Sequence, residues 1–427
     1  MTKQREVRVY LTSRAAPERS TPGGRRTRGT GKIGGTGRIP ATVFALGSVS
    51  LLTDISAEMI TAFLPVYLLY TLQLGYVQFG LLDGLYNGAT AVLRLVGGYV
   101  SDKLNRPKLI ALIGYGASAA TKLAFPLAGA SGAGIGGVLA ADRAGKGLRT
   151  APRDALISLA TPPSRLGRAF GVHRSMDTVG ALIGPLVTFW IMRDLGTGST
   201  PVFVVSFCFA LLGLIVLATF VREREPAAPT KTPVSLKACA SLVKDKGIRR
   251  MTYAAGLLGL ATISDAFVFV VVQKSTGVGL DVLPLLPLGT ALVFLLAAVP
   301  LGRLADRWGR WRVFFAGHVA LLGVYAVLLA PGGGVPMLAV ALLLHGLFYA
   351  ATDGVLMAYA GPLVPAELRA SGLAVVQTGQ AVARLLSSVV FGLLLASFAM
   401  STAVTIVLGA FVVALAGAAL LVRESAR

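Results

Sequence analysis

Twelve apolar runs divide residues 41–422, each near the ~20 residues that carry an α-helix across a bilayer. They lie at roughly 41–72, 76–100, 109–130, 134–160, 169–192, 200–221, 251–273, 283–301, 313–330, 336–360, 370–396 and 402–422. Lipid offers a spanning backbone no water to bond, so such a segment must satisfy itself as a helix or join a closed barrel. Runs of this length are read as helices, because a spanning strand needs only ~10 residues. Composition agrees: 55% of the 427 residues are hydrophobic and 14% charged, with a mean hydropathy of +0.73. A soluble chain carries ~25% charged residues. The expected fold class is an all-α, multi-pass membrane protein with twelve transmembrane helices. The first forty residues lack the apolar core of a cleavable leader, so none is expected.

The net charge of +21 points either to nucleic acid or to membrane topology. Its location decides between them. Residues 1–40 hold ten basic and two acidic residues. The joints after the even-numbered spans and the C-terminal tail hold the rest of the excess. The joints after odd-numbered spans contain Arg193, Asp194, Lys274 and Asp281, which cancel. Basic residues gather in cytoplasmic loops. The pattern therefore implies a cytoplasmic membrane protein with both termini inside, and no nucleic-acid partner. The organisation expected is a Gly/Arg/Thr-rich disordered tail (1–40), six spans (41–221), a polar cytoplasmic linker (222–250), six more spans (251–422) and a short tail (423–427).

The two halves share a loop. "GGYVSDKLNRPKLI" (97–110) follows the second span, and "LGRLADRWGRWRVF" (301–314) follows the eighth. Aligning Asp102 with Asp306 also aligns Gly98 with Gly302, Arg106 with Arg310 and Lys108 with Arg312. These residues resemble the loop signature of the Major Facilitator Superfamily, G-x-L-x-D-R-x-G-R-[KR]. The second copy matches at Gly302, Leu304, Asp306, Arg307, Gly309 and Arg310; the first has Val100, Lys103 and Asn105 where the signature has Leu, Arg and Gly. The resemblance covers residues 40–422. It implies two pseudo-symmetric six-helix bundles that rock about a central cavity. In such a fold the loop acids, near helix ends and in reach of Arg and Lys, hold a cytoplasmic gate.

The spans also contain charges. Asp54 and Glu58 sit one turn apart in "SLLTDISAEMITAFLPVYLLY" (50–70), Asp54 at ~20 Å along its helix. A charge at that depth is costly unless paired or hydrated, so both acids should face the bundle interior. Span four, "GGVLAADRAGKGLRTAPRDALISL", places Asp142, Arg143, Lys146, Arg149, Arg153 and Asp154 within an arc of about 140°. Pro152 should bend or end that helix. The stripe partly resembles the span-four signature of superfamily antiporters, with Lys146 where Gly is common. "TDISAEMI" and "GKGLRTAPRDA" look like a subgroup of bacterial permeases in the same superfamily. Span five carries Gly180-x-x-x-Gly184-Pro185, a close-packing motif. It resembles the antiporter signature of drug exporters without the trailing Gly pair.

Burial favours the neutral form of a carboxyl group and a nearby base the charged form. Asp54 is therefore the first candidate proton carrier, with Glu58, Asp142 and Asp177 beside it. Arg143, Lys146, Arg149, Asp265 and Arg384 are candidates for the substrate cavity. His318 and His345 read as hydrogen-bonded packing residues and Cys208 as packing. No metal cluster, P-loop or nucleophile–base set is recognisable, so neither an enzyme nor an ATP-driven pump is expected. The expected function is secondary active transport of a small organic molecule, by proton antiport in the export direction. The alternatives are uptake of a polar or anionic solute by symport or facilitated diffusion, and a non-transporting sensor or scaffold. No cofactor is expected, H+ is the expected coupling ion, and the partners are a small-molecule substrate and the bilayer, with the chain a monomer.

Overall fold

The computed structural model describes residues 40–86, 106–162, 166–196, 199–221, 246–360 and 369–423. The basic tail, Arg94, most of the 222–250 linker, and Gly98, Asp102 and Lys103 lie outside the described residues. Residues 39–427 form one compact unit.

The described residues are helical, and strands are absent among them. Helix α1 (Ala41–Val66) ends in a π-helical turn (Tyr67–Thr71). It is followed by α2 (described over 76–86), α3 (Pro107–Leu127), α4 (Gly132–Ala160), α5 (Leu166–Leu195) and α6 (Ser199–Phe220). The seventh span is two helices, α7 (Lys246–Leu260) and α8 (Asp265–Thr276). Then come α9 (Leu286–Trp308), α10 (Arg310–Leu329), α11 (Gly334–Ala360), α12 (Arg369–Ser397) and α13 (Met400–Arg423). Among the described residues, ten spans are long and apolar enough to cross a membrane on that ground alone. The remaining two are the second span, described only in part, and α4, which is too highly charged.

Packing repeats between the halves. Helix α1 packs on α5 and α6, as α7 packs on α12 and α13; α3 packs on α4 and α6, as α10 packs on α11 and α13. This is the pseudo-symmetry of two six-helix bundles. Among the described residues, hydrogen bonds and ring contacts join the halves where α1 and α2 meet α8 and α12. Tyr70 donates to Gln273 (3.0 Å), Ser388 donates to the buried Asp83 carboxylate (2.6 Å), Lys274 reaches Tyr76, and the Phe79 and Phe267 rings meet edge to face at 4.8 Å. Gly84 lets α2 approach the α12 backbone: a Cβ built there would lie 3.0 Å from the Leu385 carbonyl oxygen.

Three local details sharpen or change the expectations. Pro152 does not end α4, which continues to Ala160. Neighbouring helices and hydroxyl side chains can absorb the freed backbone groups of a proline inside a membrane span. Cys208 is exposed on α6 and is not a packing residue of the bundle. The seventh span is interrupted at residues 261–264, where Ser264 caps α8 by accepting from the Phe267 N–H (3.5 Å).

Candidate functional site

The opening acids of α1 are placed by glycine. A Cβ at Gly184 would lie 2.7 Å from the Ile55 carbonyl oxygen and 2.9 Å from the Glu58 Cβ. One at Gly180 would overlap the Leu51 carbonyl oxygen. Only hydrogen at these two positions lets α5 lie against the turns of α1 that bear Asp54 and Glu58. Pro185 follows in the same buried seam, and the Thr188 hydroxyl bonds the Met59 carbonyl oxygen at 3.2 Å. The same seam sets the turn of α1 that bears Asp54 beside the turn of α5 that bears Asp177, with Lys146 and Arg149 of α4 as nearby positive charges. Glu58 lies in the field of Lys146 and Arg143. Asp54, Glu58 and Lys146 are each only half-buried. Asp177 also lies 3.9 Å from Arg153 and 3.6 Å from Arg174. Arg153 pairs with Asp154 (3.0 Å) and donates to Ser50 (3.3 Å), which bonds His173 at 2.8 Å. The network thus joins α1, α4 and α5.

Asp142 is held very differently. One carboxylate oxygen accepts from Ser118 (2.7 Å), Thr121 (3.2 Å) and Lys122, all on α3; the other accepts from Arg143. Lys122, Asp142 and Arg143 are almost fully buried. Gly145 permits this approach: a Cβ there would lie 2.7 Å from the Gly114 carbonyl oxygen of α3. The Arg143 guanidinium lies 3.9 Å over the Tyr86 ring, and Tyr86 bonds Thr61 on α1. Arg149 lies 4.4 Å over the Tyr115 ring. The periodicity of α4 placed its charges on one face. The α3 partners and Tyr86 carried no signal of their own, because hydroxyl and aromatic residues are common in membrane spans.

In the second half, Asp265 opens α8 just after the break. The Tyr349 hydroxyl meets both its carboxylate oxygens (2.5 and 2.7 Å), and His345 Nε2 lies 3.5 Å away. His345 Nδ1 meets the Thr290 hydroxyl at 3.1 Å. Arg384 reaches the same Tyr349 hydroxyl at 3.5 Å. Asp265 and Arg384 are therefore brought together through Tyr349, which sequence reasoning missed. His345 is hydrogen-bonded as expected, yet also belongs to this cluster. His318 keeps its packing role, bonded to the Phe314 carbonyl oxygen (2.8 Å).

The break itself is clasped from both sides. The Tyr325 hydroxyl accepts from the Ile263 N–H at 2.8 Å, and Ser387 donates to the Thr262 carbonyl oxygen. At the loop motif, Arg310 lies 3.5 Å from Asp306, both well exposed. Gly309 joins α9 to α10 with φ +101°, a conformation that favours glycine. Gly302 and Arg307 lie in the last turns of α9, and Arg106 is the exposed residue before α3.

Comparison with known proteins agrees with this architecture. The family model described as Major Facilitator Superfamily matches residues 46–334 and 252–427. An uncharacterized MFS-type transporter of Methanocaldococcus jannaschii is 27% identical over 359 residues, covering 82% of this chain and 88% of that one. Among solved structures, the nucleoside transporter NupG superposes with a TM-score of 0.75 at 16% identity, over 89% of this chain and 98% of that one. A POT family transporter in complex with 5-aminolevulinic acid gives 0.71 at 14% identity, over 88% and 95%.

Proposed function

The chain belongs to the Major Facilitator Superfamily and is a membrane transporter, and from that premise we propose proton-coupled antiport that exports a small organic molecule. The observation that carries the coupling is the α1–α5 seam at Gly180 and Gly184, which sets the half-buried Asp54 and Asp177 on adjoining turns, with Arg153 of α4 3.9 Å from Asp177. One proton held between the two carboxyls keeps α1 and α5 together. Rocking that brings Lys146 or Arg149 onto Asp54 supplies a counter-charge and releases that proton; moving the base away calls for a proton again. Each cycle then exchanges a proton for a substrate molecule. Asp142, saturated by four donors, acts here as an anchor for Arg143 and is not a relay. The export direction draws support from the Gly180/Gly184/Pro185 seam, which presses α5 onto the acid-bearing turns of α1.

The location is the cytoplasmic membrane, with both termini inside and the loop acids Asp102 and Asp306 serving an inner gate. The reading divides the chain at the 222–250 linker and treats it as a monomer. Uptake of an anionic solute is the second reading, favoured by the surplus of Arg143, Lys146 and Arg149 on α4.

Inverted membrane vesicles with an acidified interior and a pH-sensitive dye test the reading. Lipophilic cations, antibiotics and organic anions are added in turn. Substrate-dependent alkalinisation, abolished in Asp54→Asn, is the expected result. Solute movement in the same direction as the proton would instead establish symport, and undiminished alkalinisation in Asp54→Asn would remove Asp54 from the coupling.

A further inference from the structure

The middle of helix α8 is enclosed on every face: Phe267, Val268, Phe269, Val270, Val271 and Val272 are all buried. Six consecutive residues cover the whole circumference of a helix at 3.6 residues per turn. Yet the Asp265 side chain in its first turn is 47% exposed. An open carboxylate at the head of a helix whose next turns are enclosed fits an internal space better than lipid, where an unpaired charge is costly. The neighbours are buried: His345 at 1%, Tyr325 at 0% and Thr290 at 7%. Asp265 is thus a carboxylate at the midpoint of a membrane span, walled on one side and open on the other.

Its charge is only partly answered. The first turn of a helix favours an anion. Tyr349 supplies one hydroxyl to both oxygens. The same hydroxyl receives Arg384, so the phenol stands between guanidinium and carboxylate. Among the described residues, the basic side chain within 4 Å of the carboxylate is the imidazole of His345, itself engaged with Thr290. A carboxylate has room for about four hydrogen bonds, and a charge this deep calls for a charged partner.

We propose that Asp265, framed by Tyr349 and His345, is the recognition subsite for a protonated amine on the transported molecule. The amine N–H groups donate to the open carboxylate oxygens, and its charge neutralises the carboxylate. The break at 261–264 places the site: without it, Asp265 would be a mid-helix residue and not the head of a new helix with its own N-terminus. The proposal rests on reading the chain as a carrier with its substrate space between the halves. It assigns Asp265 to substrate binding and leaves proton coupling to Asp54.

The test is thermal unfolding of the purified full chain in detergent at pH 7, with three shape-matched probes: 2-phenylethylamine, 2-phenylethanol and 3-phenylpropionate. The amine is expected to raise the midpoint in a saturable way, and the alcohol and acid are not. Asp265→Asn should raise the half-saturating amine concentration about ten-fold or more, the scale of a lost charge-assisted hydrogen bond. Tyr349→Phe keeps the carboxylate and removes its internal competitor, so it should lower that concentration about five-fold. That second variant decides the matter if Asp265→Asn does not fold. In Asp54→Asn the amine should still protect in a saturable way while pH-driven alkalinisation is lost, which separates this subsite from the coupling reading. The proposal is overturned by equal protection from the alcohol, by equal protection from Na+ at matched concentration, by no response to the amine, or by a response that neither Asp265→Asn nor Tyr349→Phe alters.

Discussion

The first six spans bury Lys122, Asp142, Arg143 and Arg149, whereas the last six are held together by hydroxyls, imidazoles and rings around Asp265. Both halves use the same helix pairings, so the difference is one of chemistry laid on a common frame. Within the first half the carboxylates divide again. Asp142 accepts from four donors and cannot change partners without breaking several bonds at once. Asp54 is half-buried and lies across the α1–α5 seam from the turn that bears another acid, Asp177. In the mechanism proposed above, the saturated carboxylate holds helices together and the open one exchanges the proton.

The comparison can be broken first at Asp142. Asp142→Ala leaves Lys122 and Arg143 facing a void with no acid. Breaking one side of a buried ion pair costs about 3–5 kcal/mol. A large drop in thermal midpoint is expected, while Asp265→Ala in the other half, at an open site, should lower it far less. Equal losses would erase the distinction between the halves.

Next in size is Gly184→Leu. Its side chain meets the Ile55 carbonyl oxygen and the Glu58 Cβ, and overpacking of this kind costs about 1–3 kcal/mol. Detergent unfolding should register the loss, and pH-driven flux should fail even in protein that remains folded. Flux without change would show that the α1–α5 seam plays no part in transport.

Tyr325→Phe sharpens the comparison from the other side. It orphans the buried Ile263 N–H, at a cost of about 1–2 kcal/mol. Amide hydrogen exchange at residues 262–264 should quicken, with α3 and α4 unaffected. The smallest effect belongs to Asp306→Ala. Its partner Arg310 is exposed, and a pair of that kind contributes about 0–1 kcal/mol. Its thermal midpoint should barely move, whereas a role in the gate requires slower transport. Unchanged transport would reduce the loop to a topology signal.

The sequence made the helical plan legible because bilayer thickness fixes span length and lipid forbids unsatisfied backbone. The duplicated loop named the family on the strength of Asp306, Arg307, Gly309 and Arg310. Helical periodicity also gathered the charges of α4 on one face. What it could not supply was cross-helix partnership. Nothing about Ser118, Thr121 and Lys122 on α3 says that they converge on Asp142, since that depends on the Gly114–Gly145 approach. The break in span seven was hidden by the surrounding apolar residues, although Ser264 before Asp265 is a helix-start signal inside the run. Tyr349 lay among apolar neighbours, and only the fold puts its hydroxyl between Arg384 and Asp265.

The saturated Asp142 has a consequence for how the protein is made. A charged residue at the centre of a membrane helix disfavours insertion by about 2.5–3.5 kcal/mol on its own. Helix α4 carries several, and is not among the helices apolar enough to cross unaided. Helix α3 is among them despite Lys122, and its Ser118, Thr121 and Lys122 supply three of the four donors that Asp142 needs. The short turn at residues 128–131 lets the two enter the bilayer as a hairpin with their opposite charges already joined. The partner that offsets the charge of α4 thus lies in the span just before it, and a chain cut between them would separate Asp142 from three of its four donors.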